Sequence, residues 1–396
     1  MNRREFSKTI GLGTVALTGA VEGAAALAAS APKAPNKPGD SPAVVPSKVD
    51  RAHRKQWAKE HFRGFENILV ASFTPDMKNL DEAGIRLDVR QSIAHGFFST
   101  LCAPPALSVA EQKRFVEIAV DEAAGRITVG LALSGESEAE MLDVVAHAEK
   151  VGCQHILIDL PRKGSVEELI SYARTFTRAT NLGAYLWMAG VHNFARFHPN
   201  GIPYEVFDVL ADEPNIIALK VGNMDAAVIF DLLERYNDRM LVGVLTPNLM
   251  PLAIRAYGQQ WSGAWSVEAL QSPEKPYAVE FFSQMMKGKY ESGMKLYWEH
   301  VAPGFGQMMK LLGKNMATGG HPWEHFKYYQ FATGGNGGRY RVDPEFPGQP
   351  HVNAEDMATI QASYRMIGVP TTQLGDAAFA VGRVNYEKGV REAPAG

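Results

Sequence analysis

Asn215-Ile216-Ile217-Ala218-Leu219-Lys220 is a short apolar run that ends on a lysine, just before the chain turns at Val221-Gly222-Asn223. Near-continuous apolar residues over this length suit a strand buried on both faces, as in a parallel sheet. A lysine at the end of such a strand is costly unless it is paired or put to use. If used, it serves as a nucleophile, because burial favours the neutral amine and a neutral amine forms Schiff bases. Where this strand sits in the fold decides between the two.

Seven further runs of the same kind occur, at 68–73, 97–103, 127–133, 155–160, 184–189, 240–245 and 261–269. Between them apolar residues fall at helical spacing. Met141, Val144, Val145 and Ala148 form one such face; Leu169, Tyr172, Ala173 and Phe176 a second; Ile229, Leu232, Leu233 and Tyr236 a third. Ser108 with Glu111 and Ser165 with Glu168 have the spacing of capping boxes at helix starts. Eight strands alternating with helices imply a (β/α)8 barrel or a doubly wound sheet. No G-x-G-x-x-G follows the first strand, which weakens the dinucleotide-binding version. The expected fold is therefore α/β, a (β/α)8 TIM barrel over residues 64–270 with a C-terminal helical region and tail over 271–396. That region is expected to hold helices at 276–286 and 292–301, a Gly-rich loop at 333–338 and a last helix at 354–367. Barrel active sites lie at the carboxyl ends of the strands, and Lys220 is at the carboxyl end of strand six.

The chain has 396 residues, 46% of them apolar and 21% charged, with a formal net charge of -3. With no long basic run past the N-terminus, nucleic acid and anionic membrane surfaces are poor partners. Residues 1–30 form a separate object. Arg3-Arg4 with Phe6 and Lys8 precede an uncharged stretch and then small residues, the order of a cleaved twin-arginine export signal. The stretch is short for a membrane span, so no stable span is expected after cleavage. Export implies the twin-arginine machinery as a partner and a periplasmic or otherwise exported location. Residues 31–63 read as a linker, rich in Pro, Ala and Ser at first, and an N-terminal extension, with the fold beginning near Phe65. Cys102 and Cys153, the only cysteines, lie in or beside apolar segments and are expected to be buried free thiols.

From about Phe65 to Val369 the chain resembles the dihydrodipicolinate synthase / N-acetylneuraminate lyase family, class I aldolases on a (β/α)8 barrel. Pro214 to Lys220 resembles the family's Schiff-base segment. Leu107-Ser108 with Glu111, Gly125 to Val129, Gly263 to Val267, and Arg339 to Pro347 followed by Asn353-Ala354-Glu355 fall in the family's order and spacing. The resemblance implies that Lys220 attacks the ketone of a 2-keto acid such as pyruvate. It implies no cofactor, and a homo-oligomer. The alternative for Lys220 is a barrel lysine paired with a buried carboxylate such as Asp159.

The departures are as informative. The family's carboxylate-binding loop after strand two is here Ser99-Thr100-Leu101-Cys102-Ala103, which keeps one hydroxyl, on Thr100. The family's catalytic tyrosine after strand four is replaced by Arg162, which cannot be a base but can clamp a carboxylate or phosphate. A different acid/base is then needed, with His192 and Tyr185 as candidates. Trp187, Trp265 and Ser266 are expected to line the pocket, although core filling by the tryptophans is the plainer reading. Glu268 reads as an acid/base or an exposed charge. His321 and His325 would share a face of one helix, but HEXXH is absent and no metal is expected. Two function classes follow. One is an exported class I lyase, aldolase or hydratase acting through Lys220 on a 2-keto acid or sugar-derived carbonyl compound. The other is a non-catalytic relative that binds a small acid or a protein partner.

Overall fold

Eight parallel strands alternate with helices in the structure, a computed structural model that describes residues 48–189, 194–317, 321–343 and 348–392. The strands are β1 (Gly64–Val70), β2 (Ser99–Ala103), β3 (Thr128–Ala132), β4 (His155–Asp159), β5 (Gly183–Ala189), β6 (Ile216–Gly222), β7 (Leu241–Val244) and β8 (Trp261–Trp265). They pair in the order β7-β6-β5-β4-β3-β2-β1-β8, every pair parallel. At the seam the Trp261 indole fills the space beside Gly243, where an added Cβ would approach it to 2.5 Å. This is the expected (β/α)8 barrel.

The covering helices are α2 (Glu82–Ala94), α3 (Val109–Ala123), α4 (Glu138–Val151), α5 (Val166–Ala179), α6 (Tyr204–Leu210), α7 (Ala226–Tyr236) and α8 (Met250–Tyr257). Their buried residues include all three predicted apolar faces except Tyr172, which is half-buried. Both capping boxes form: Ser108 and Ser165 each accept from the backbone of the glutamate three residues on, which reaches back to the cap's own N–H. Cys102 and Cys153 are buried free thiols.

Two boundaries differ from the sequence reading. The first strand begins at Gly64, not near residue 68, and takes in Glu66 and Asn67. A buried carboxylate in a strand is tolerated where hydrogen bonds satisfy it, and Glu66 has three partners. The fold also begins before Phe65. A helix, α1 (Arg54–His61), buries Trp57 and leads into Phe62. The Phe62 ring closes the amino-terminal end of the barrel, 5.0 Å from His155, 5.1 Å from Phe98 and 5.3 Å from Trp261.

After β8 come a 3-10 turn (Val267–Leu270), α9 (Tyr277–Met286), α10 (Tyr290–Leu296), a π-helical stretch (Tyr297–Val301), α11 (Ala302–Met316), α12 (Trp323–Ala332), α13 (Ala354–Ile367), α14 (Asp376–Val381) and α15 (Arg383–Glu387). Two short helices thus follow the one expected to be last. The orientation of α12 matters most. Lys327 Nζ donates to the carbonyl of Val70 at 3.3 Å, and Gln330 Nε2 to that of Ile68 at 3.0 Å. Helix α12 therefore descends β1 from its carboxyl end, and its own start lies at the barrel mouth. Lys327 is fully buried and anchored by Asp88 Oδ2 and Ser72 Oγ, both at 2.7 Å. Among the described residues no helix is long and apolar enough to cross a membrane.

Candidate active site

Lys220 lies near the carboxyl end of β6, 6% exposed, its neighbour across β5 being Trp187. The lysine Nζ sits 4.0 Å from the centre of a Trp187 ring. Gly222 makes this possible, because a Cβ there would meet that indole at 2.4 Å. Burial lowers the Lys220 pKa from 10.5 to about 8, against the opposing pull of the Glu66 and Asp159 carboxylates. At pH 7 an amine of pKa 8 is neutral in about one molecule in ten, against about one in three thousand at 10.5. The cation–π contact and the carboxylates keep the ammonium form tolerable; the dry surroundings keep the amine accessible as a nucleophile.

Beneath this lysine the barrel carries a polar floor that the sequence reading did not foresee. Glu66 is fully buried and receives Ser99 Oγ at 2.9 Å and the Tyr185 hydroxyl at 2.8 Å; His155 Nε2 lies 2.6 Å from its Oε1. Gly130 leaves room for the His155 ring, and Gly263 for Glu66 itself. Tyr185 spends its hydroxyl on Glu66, and burial, then the Glu66 charge, push its pKa well above 10. In the register of β5 and β6 it sits one inward position below Trp187. That removes Tyr185 as the missing acid/base. The signal for Glu66 is a carboxylate inside the first strand, and an apolar run that begins at residue 68 leaves it out.

At the rim, Arg162 reaches Asp159 at 3.5 Å, with both side chains well exposed. Its backbone carbonyl accepts from Arg196 Nη1 at 2.9 Å, so Arg196 ties the loop after β4 to the segment after β5. Ser266 is buried directly after β8. Two expected pocket residues face elsewhere. Ser99 points inward to Glu66, so the alternation of a strand turns Thr100 to the helical side, where its buried hydroxyl lacks a hydrogen-bond partner among the described residues. Trp265 packs against Phe65 at 5.9 Å and Phe305 at 6.0 Å, in the layer between barrel and C-terminal helices. His192 lies outside the described residues.

Glu268 is neither exposed nor at the mouth. It is buried outside the barrel wall, accepts from Asn67 Nδ2 at 2.7 Å, and burial raises its pKa to about 7. His321 and His325 do not form a pair. His321 precedes α12, so the four-residue helical spacing does not apply. His325 is engaged by Asp356 Oδ2 at 2.9 Å. Among the described residues no group of three or more His, Cys, Asp or Glu gathers to hold a metal. His321 instead stacks on Trp323, ring centres 3.9 Å apart, near enough to Lys220 for that charge to act on it.

A family model, the "Dihydrodipicolinate synthetase family", matches residues 61–253, from the end of α1 into α8. Over that segment the chain resembles this family. Among its relatives is the 4-hydroxy-tetrahydrodipicolinate synthase of Methanospirillum hungatei, 26% identical over 60% of this chain and 81% of the relative. That of Methanopyrus kandleri is 28% identical over 58% and 76%. Solved structures extend the likeness of fold into the C-terminal region. A dihydrodipicolinate synthase has a TM-score of 0.62 at 19% identity, covering 78% of this chain and 99% of its own. The N-acetylneuraminate lyase of Fusobacterium nucleatum has 0.60 at 16%, with the same coverage. A prophage protein of the family from E. coli K12, in complex with pyruvate, has 0.61 at 16%, again with that coverage. This likeness supports class I aldolase chemistry as the frame for the Lys220 site. The matched segment ends before β8, so His321 and all of α9 to α15 lie beyond it.

Proposed function

We propose that the protein is an exported class I lyase, aldolase or hydratase in which Lys220 forms a Schiff base with a 2-keto acid or a sugar-derived carbonyl compound. The observation that carries this reading is a buried lysine at the catalytic end of β6 with its pKa brought down to about 8. The neutral amine adds to the ketone carbon, and the carbinolamine loses water to give a protonated imine. The imine draws electrons from the adjacent carbon, so that a proton leaves, or a carbon–carbon bond breaks, to give an enamine. Trp187 forms one wall beside the imine nitrogen. Arg162 and Ser266 are the groups this reading assigns to the substrate's anionic or hydroxyl end, and Arg162 would exchange Asp159 for that anion. The reading does without Thr100 and Trp265.

The bound pyruvate of the E. coli prophage relative makes pyruvate the first probe. Borohydride reduction with pyruvate, or with a 2-keto-3-deoxy sugar acid, is expected to fix one adduct per chain on Lys220, and none in Lys220→Ala. No adduct with either class of compound would favour the non-catalytic binding alternative. Export belongs to the same proposal and rests on residues 1–30. Cell fractionation should find the mature protein outside the cytoplasm, and Arg3→Lys with Arg4→Lys should retain it inside. The reading also includes a homo-oligomer. Trp298, 66% exposed on the π-helical stretch, is a side chain such an assembly would cover, and sedimentation would measure the assembly directly.

A further inference from the structure

An enamine needs a group to take and return the proton on the carbon beside the imine. Among the described residues near Lys220 most candidates are spoken for. Arginine stays protonated, which excludes Arg162. The Tyr185 hydroxyl is held by Glu66, and the Glu66 carboxylate carries Ser99, Tyr185 and His155 on its two oxygens. His321 differs. It stands at the start of α12, the end of that helix that lies at the barrel mouth. Its ring is packed between Trp323 and Phe326, with centres 3.9 and 5.0 Å away. Its Nδ1 is buried and has no hydrogen-bond partner among the described residues. The charge of Lys220 reaches it.

We propose that His321, supplied by the C-terminal region, is the acid/base of the Lys220 site, transferring the proton between the carbon adjacent to the imine and its own imidazole. This rests on the Schiff-base reading of Lys220. In the step, the C–H electron pair becomes the C=C bond of the enamine and the C=N π pair returns to the lysine nitrogen. The proton goes to the imidazole. The net charge is unchanged: one positive charge leaves the iminium and appears on the imidazolium.

One of the two effects that disfavour the imidazolium is lifted during this exchange. In the resting site burial, and then the charge of Lys220, drive the His321 pKa down to about 3, so its lone pair is free. The repulsion from Lys220 disappears when the iminium is discharged to a neutral enamine, and that is the moment at which His321 must hold the proton. The Trp323 ring against the imidazole then stabilises the cation by its π face. Protonation of the enamine on the return path restores the iminium, and the same repulsion drives the proton off His321.

The test separates imine formation from proton transfer. Wild type, His321→Gln and His321→Ala are incubated with pyruvate, once with borohydride and once in deuterium oxide with the methyl group followed by NMR. Thermal melting checks that each variant is folded. Both variants are expected to trap pyruvate on Lys220 as fully as the wild type. Their methyl exchange should fall by about 100-fold or more, the usual scale of a lost general base, with added imidazole restoring part of it in His321→Ala. Exchange in His321→Gln within a few-fold of wild type overturns the proposal. So does loss of trapping in both folded variants, which would make His321 a group that shapes the pocket. A wild type that traps neither pyruvate nor a keto sugar acid removes the Schiff-base reading and this one with it.

Discussion

A single lysine carries two opposed demands here. It must be dry enough to lose its proton and supported enough to be housed in a barrel. With the pKa at about 8 in the folded protein and near 10.5 when unfolded, the native state holds fewer protons between those values. Two consequences follow. The initial rate of borohydride trapping should rise about tenfold per pH unit below 7 and level off above about 8, read from a pH series with pyruvate. A limb near 10 instead would mean that the lysine is not desolvated as described. Stability should also depend on the residue: Lys220 contributes a cost that is full below pH 8 and relieved as pH approaches 10.5. At this scale the sequence located Lys220 near the end of a buried strand, which depends only on the apolar run before it. It was a poor guide to Thr100, because one residue of strand phase decides whether a hydroxyl faces the pocket or the helices. Only the hydrogen bond from Ser99 to Glu66 reveals that phase.

Elements were legible where the pattern was apolar and lost where it was polar for a structural reason. The faces of α4, α5 and α7 and the boxes at Ser108 and Ser165 were visible because periodicity and capping are local. The start of β1 was not, because Glu66 and Asn67 read as a break until their partners across the barrel and in α2 are known. The turn after β8 gives a direct test of such hidden polarity. Glu268 is raised from 4.5 to about 7 by burial, so the folded protein keeps a proton there that the unfolded chain releases. Its stabilising contribution is complete below about pH 4.5 and lost as pH rises through 7. Glu268→Gln should therefore gain on the wild type in unfolding free energy as pH goes from 5 to 8, by up to roughly 3 kcal/mol over the full shift. Parallel pH dependence in the two proteins would refute it.

For the whole molecule, the barrel is closed at one end by a segment that composition alone assigns to an extension. Phe62 meets rings from β4, β5 and β8 and the approach to β2, so it ties the N-terminal helix to strands distant in sequence, as far along the chain as Trp261. Phe62→Ala should cost about 3–5 kcal/mol in denaturant unfolding, as for a large core aromatic. It should leave the Lys220 adduct in the cold unchanged, since the other end of the barrel is untouched. A cost under about 1 kcal/mol would show that the floor is held by Trp57 and Trp261 without it. The C-terminal region acts at the opposite end. The buried Lys327–Asp88 pair fixes α12 along β1, and this in turn sets the start of α12, with His321, over the mouth.

The sequence by itself determined the alternation of strand and helix, the barrel and the lysine at the carboxyl end of its sixth strand, because these depend on period, run length and chain order, which are local or cumulative along the chain. Tertiary structure alone decided what surrounds that lysine. Glu66, Tyr185, Trp187 and His321 come from two strands, β1 and β5, and a C-terminal segment. Whether each is a partner, a floor, a wall or a base depends on strand phase and helix direction, which are set by packing between residues far apart in sequence. Lys220 was therefore readable as an isolated residue, and its pocket only as an assembled one.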